Sequence, residues 1–182
     1  MFHRQRAAGL LAAGLAAALL AWAGPSGAAE PWSSYANARF CYGVEIPPGF
    51  AVETEADNGD GATLADAGSG ARLAVWGANL VEGDFKSDAA GRADSYSRDG
   101  WQLSLRRIAD ARASLSGSRK DRVLYVRGID LGDGQAAYFE LDYPRAGLKA
   151  FDPVVERLVR SLAKAKGCSA VAAARWPSDR TA

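Results

Sequence analysis

Apart from His3, the 182-residue sequence has no histidine, and it has only two cysteines, Cys41 and Cys168. Both shortages exclude chemistry. Ser-His-Asp and Cys-His catalysis need an imidazole to move a proton near neutral pH. The common zinc sites need at least one histidine or several cysteines. Two cysteines cannot make a four-cysteine site, and no C-x-x-C redox pair is present. Internal repeats are missing too, and the one long apolar run, near the start and rich in Ala and Gly, falls short of the roughly 20 residues that span a bilayer. Neither a metal nor an organic cofactor is expected.

What stands at the start is a secretory leader. His3, Arg4 and Arg6 precede an Ala/Leu run from Leu10 to Trp22, followed by Gly24-Pro25 and the small residues of "AGPSGAA". This pattern predicts a cleaved signal peptide over 1–29, cut after Ala28 or Ala29. Gln5 splits the two arginines, which favours the general export route. Cleavage takes the balance from 22 basic and 21 acidic residues to 20 and 21, because Arg4 and Arg6 leave and no acid does. His3 leaves as well. A near-neutral chain has no electrostatic basis for nucleic-acid binding. The expected location is periplasmic or secreted, with no stable membrane span after cleavage.

The remaining ~150 residues suit one domain with its own core. That domain is expected over 30–168, with a disordered tail over 169–182. Strand signals dominate it. Phe40–Ile46 reads as a strand stopped by Pro47-Pro48-Gly49, and Phe50–Thr54 resumes after the turn. "ATLADA" and "ARLAVWG" form a hairpin pattern. "WQLSLRRI" alternates, with Trp101, Leu103 and Leu105 on one side and Gln102, Ser104 and Arg106 on the other. "RASLSG", "DRVLYVRGID" and "QAAYFELDYP" extend an antiparallel meander. Two helices are predicted. One runs from Asp88 to Arg98, capped by Ser87 and ended by Gly100. The other starts at Asp152-Pro153, repeats Val154, Val155, Leu158, Val159 and Leu162 at helical spacing, and ends at Gly167 after Lys164 and Lys166. The fold class expected is α+β, an antiparallel sheet covered by two or so helices.

"NARFCYGVEIPPGF", "NGDGATL", "ARLAVWG" and "LKAFDPVVERLVRSL", in that order, resemble an uncharacterised group of exported bacterial proteins whose fold is similar to the PsbP-like α/β sandwich. The resemblance covers about Ser34 to Cys168. It implies an envelope location and no particular activity. Better-known members with that fold, oxygen-evolving-complex subunits and Ran-GTPase binders, are accessory or binding proteins.

Four groups of residues are candidates for function. "DNGDG", Asp57–Gly61, resembles a calcium loop, but glycines occupy its third and fifth positions and Gly68 its twelfth, so a tight turn is the better reading. Arg106, Arg107, Arg112, Arg119, Lys120 and Arg122 are clustered in sequence; gathered on one sheet face they would bind carboxylate, phosphate or sulfate groups. Balanced by Asp110, Asp121, Glu140 and Asp142, they would be an ordinary solvated face. Trp76, Trp101, Tyr125, Tyr138, Phe139 and Tyr143 read as core before they read as a ligand groove, whereas Trp32 and Tyr35 are freer to meet a partner. Glu140 and Asp142, two apart on a strand, would serve a glycoside hydrolase if a cleft brought them together.

The leading expectation is therefore an exported envelope protein without enzymatic activity, a binding or accessory domain that takes an envelope protein or an anionic ligand on its arginine-bearing face. The alternatives are a small carbohydrate-active hydrolase and a purely structural or stress-related domain. The two cysteines of an exported chain are expected to pair, tying the end of the last helix to the first strand. Chain entropy for so long a loop sets an upper figure of about 4–5 kcal/mol.

Overall fold

The computed structural model describes residues 31–81 and 83–168. The signal peptide and the tail expected at the two ends lie outside the described residues. Ten strands and two helices follow one another as β1 (Ser33–Asn37), β2 (Tyr42–Ile46), β3 (Ala51–Glu55), β4 (Gly61–Asp66), β5 (Ala71–Asn79), α1 (Phe85–Arg98), β6 (Gln102–Ile108), β7 (Arg112–Arg119), β8 (Arg122–Gly132), β9 (Gln135–Pro144), α2 (Leu148–Ser161) and β10 (Ala163–Lys164). The fold is α+β. Strands β1-β2-β10 form a small sheet, and β3-β4-β5-β9-β8-β7-β6 form a seven-stranded antiparallel one. The large sheet is two meanders joined where β5 pairs with β9.

Local chemistry accounts for the turns. Asp133 and Gly134, at φ 53° and 70°, join β8 to β9 in the left-handed conformation that two-residue hairpins favour. Asp84 caps α1 by accepting a hydrogen bond from the Ser87 amide, so the helix begins one turn earlier than the Ser87 cap predicts. Burial of Phe85 explains the extra turn. Gly100, at φ 86°, ends α1 as expected.

Each face of the large sheet has its own core. On one side, Phe85, Ala89 and Ala93 of α1 pack on Leu115, Leu124, Val126 and Tyr138. Gly128 makes room there, since a β-carbon would fall 2.3 Å from the Tyr138 ring. On the other side, Leu64, Leu73, Val75, Phe139 and Leu141 are covered by Tyr42 and Ile46 of the small sheet and Leu158 of α2. Burying each such side chain contributes about 1.5–3 kcal/mol before the entropy of ordering it.

Three sequence expectations change. Helix α2 starts at Leu148, ahead of Asp152, and Pro153 lies inside it. The Phe151 ring stacks on Tyr143 at 4.4 Å, and that contact carries the helix a turn past the proline signal. The helix ends at Ser161, because Ala163 and Lys164 leave it to pair with Gly43 and Tyr42 of β2. Strand β6 bulges between Leu103 and Leu105, so these two leucines no longer share a face.

Cys41 is bonded to Cys168, as expected. It lies in the β1–β2 turn rather than in a strand, with φ 53°, and the Ala165 amide donates to its carbonyl at 2.7 Å. The bridge therefore holds the segment after β10 against the small sheet. Replacing both cysteines by alanine is expected to lower unfolding free energy by about 2–4 kcal/mol in urea denaturation. An unchanged midpoint would show that the bridge adds nothing to the β2–β10 pairing.

Candidate functional site

The six clustered cations do not share one face. Arg106 points toward α1, where its guanidinium bonds to Asp94 at 2.7 Å. Arg119 lies over the Trp101 ring at 4.6 Å and donates to the Asp99 carbonyl. Arg122 donates to the Asp142 carboxylate at 2.8 Å and to the Gly70 carbonyl at 3.0 Å. Lys120 occupies the β7–β8 turn at φ 54°. Only Arg107 and Arg112 belong to the α2-facing side with no carboxylate of their own among the described residues. The register sets this arrangement: Arg107 pairs with Ser114, which pairs with Arg127, while Arg106 pairs with Leu115 on the opposite face.

Arg112 lines a cleft of about 510 Å³ with Arg127, Asp130, Arg160, Leu162 and Lys164. Strands β7 and β8 form its floor, and the end of α2 with β10 forms its wall. Arg127 is the central group. It sits on β8 between the core-facing positions of Tyr125 and Ile129, donates one Nη to Ser114 Oγ at 2.8 Å, and has no carboxylate partner among the described residues. Its Nε is buried without a hydrogen-bond partner. Burial lowers its pKa, the Arg112 charge adds to that, and Tyr125 acts in the opposite sense. Arg160 is held loosely by Glu156 at 3.5 Å, both side chains being about 70% exposed. Lys164 donates to the Leu131 carbonyl at 2.6 Å. The C-terminal dipole of α2 helps keep these two cations in place. Four cations thus face one carboxylate, Asp130. An oxyanion entering the cleft would meet two guanidinium groups, on Arg112 and Arg127, that have no carboxylate among the described residues.

Arg127, Arg160 and Lys164 lie beyond the dense run that the sequence singles out, which ends at Arg122. The available signal was an arginine at the core-facing phase of the strand "RVLYVRGID". Arg119 and Lys120 line a second cleft, of about 440 Å³, with Gln102, Ser118 and Arg145.

The carboxylate pair has another fate. The Tyr96 hydroxyl donates to Glu140 at 2.5 Å, and Arg122 occupies Asp142. Burial raises the Glu140 pKa above its usual 4.5, Asp142 adds to the rise, and Tyr96 and Arg119 oppose it. Among the aromatics, Trp101, Tyr138, Phe139 and Tyr143 are buried and Trp76 and Tyr125 half-buried, which is the core arrangement. Tyr35 is buried too, and Arg157 covers the Trp32 ring at 4.4 Å, so neither is free in the way its place near the leader suggested.

No protein-family model matches this chain, and no curated protein sequence matches it. Solved structures do. The solution structure of cyanobacterial PsbP (CyanoP) from Synechocystis sp. PCC 6803 superposes with a TM-score of 0.55 at 14% identity, over 80% of this chain and 98% of that one. The 1.9 Å crystal structure of the Saccharomyces cerevisiae Ran-binding protein Mog1p gives a TM-score of 0.54 at 11% identity, over 74% and 95%. The fold is PsbP-like.

Glu140 makes a pH prediction. Its folded-state pKa lies above the unfolded one, so the native state binds the extra proton and stability falls as pH rises past about 4.5. The Glu140→Gln variant should lose that component, so its thermal midpoint should gain on the wild type between pH 4.5 and 7. Parallel midpoint curves would contradict the burial of this charge.

Proposed function

We propose that this chain is a non-enzymatic binding or accessory domain of the cell envelope that holds an anionic group of its partner in the cleft between α2 and β7–β8. The observation that carries the reading is Arg127, a guanidinium without a carboxylate partner, its Nε buried and unbonded, beside a second unpaired guanidinium on Arg112. Other arginines of the large sheet already have a carboxylate: Arg72 has Glu53, Arg106 has Asp94 and Arg122 has Asp142. Mog1p, which has this fold, is a Ran-binding protein. That likeness supports protein binding as a use of the scaffold and says nothing of the partner. Export rests on the leader and on the disulfide, which suits an oxidising compartment. The hydrolase reading loses support because Tyr96 and Arg122 occupy the two acids it would need.

The test uses the domain in low-salt buffer with inorganic phosphate and tetraglutamate as probes. Binding should weaken as salt rises. Arg127→Gln and Arg112→Glu should each weaken it about 10- to 100-fold, the range of one lost charge-assisted bond. Arg106→Glu, on the opposite face, should bind as the wild type does. Equal loss in all three variants, or no binding by the wild type, would reject the cleft.

A further inference from the structure

The two basic clefts lie at the two ends of one row of side chains. Alternate residues of a strand share a face, so Arg112, Ser114, Ser116 and Ser118 form a single line along β7. Ser114 pairs with Arg127 and Ser118 with Val123, which puts the line on the α2-facing side of the sheet. Helix α1 packs on the opposite face, and the packing of α2 is against β8 and β2, which leaves the row along β6 and β7 open. Six residue steps from Arg112 to Ser118 measure about 20 Å.

Helix α2 forms the wall of this open strip. It is entered through Arg145, which lines the second cleft, and it leaves through Arg160, which lines the first. Its 14 residues span about 21 Å, the same length as the row. Positive charge is therefore concentrated at the ends: Arg107, Arg112, Arg127, Arg160 and Lys164 at one, Lys120 and Arg145 at the other, with Arg119 beside them turned over Trp101. Asp130 stands at the first end and Asp121 in the turn at the second. Between them the floor is uncharged at Ser116 and Leu105, which pair across β6 and β7. On α2, Glu156 is tied to Arg160. Asp152, exposed near the middle of the helix, disfavours an anion there. Leu148 is 42% exposed, and lying three turns before Val159 it falls on the side of α2 that borders the first cleft.

Resting on the anion-binding reading of the first cleft, we propose that the row receives an extended polypeptide segment of another protein. That segment carries an acidic cluster at each end and about six uncharged or apolar residues between. Extended chain covers 20–24 Å in about six to seven residues, which sets the spacing. Peptide is favoured over an anionic glycan because the guanidinium forks match carboxylates, while the floor between the ends presents serine hydroxyls, Leu105 and a single half-buried ring, Tyr125, stacked with Phe139. The chain's own 169–182 segment does not fit, because Arg175 and Arg180 outnumber Asp179.

The test is fluorescence anisotropy with labelled peptides on the full domain. The probes are a peptide with two Glu-Glu pairs separated by six Ser, Ala and Leu residues, each Glu-Glu half alone, and the two pairs separated by two residues. The long peptide should bind at least about 10-fold tighter than either half or the short-spacer form, since engaging one end raises the effective concentration at the other. R112E and the double variant K120E/R145E should each bring the long peptide down to the affinity of a half. A long peptide that binds no tighter than a half overturns the extended row while leaving the first cleft standing, provided R112E still weakens the half. Absence of any peptide binding to the wild type rejects the cleft itself. A sulfated oligosaccharide that displaces the long peptide at lower concentration, with loss in the same variants, overturns the choice of polypeptide.

Discussion

Strand β9 is buried on both faces, and the rest of the structure is arranged to cover it. Tyr138 goes to one side, under Phe85 of α1, while Phe139, Leu141 and Tyr143 go to the other, under the small sheet and α2. A sheet strand without a solvated face needs a layer above and a layer below. Neither layer extends over all seven strands. Helix α1 covers β6, β7 and β8 on its side, and the other layer leaves β6 and β7 open. The offset creates the surface on which binding is proposed: where a covering layer stops, polar side chains replace apolar ones on the same strands.

Charge pairing then decides which of the open positions matter. The sheet carries many arginines, and carboxylates on neighbouring strands or on α1 take up Arg72, Arg106 and Arg122. Exposed pairs of this kind contribute little to stability, but each removes a guanidinium from the set available to a ligand. Arg127 differs because a serine, and no acid, meets it across the strands. A half-buried cation without its counter-charge carries a desolvation cost, and the cost falls when an anion arrives, so stability and binding are coupled at this residue.

The two helices, the hairpins and most strand positions were legible in the sequence, because alternation and helical spacing are local properties of consecutive residues. The misses were of another kind. The β6 bulge turned Leu105 away from Leu103, Phe151 drew α2 past a proline, and Lys164 left the helix to pair with Tyr42. Each depends on a contact with a residue of another element, Ser116, Tyr143 or Tyr42, that local periodicity does not register. The site was read only in part for the same reason. Arg112 was in the run of basic residues, but Arg160 and Lys164 reach it from a segment about fifty residues later.

The sequence by itself determined the α+β class and the single possible disulfide, since these follow from composition, from short-range periodicity and from having just two cysteines. Tertiary structure alone decided which cations gather. Strand register, one bulge and the path of α2 sort neighbouring arginines onto opposite faces. A one-residue change in register reverses every side chain of a strand, and register is set by packing between segments that the sequence keeps far apart.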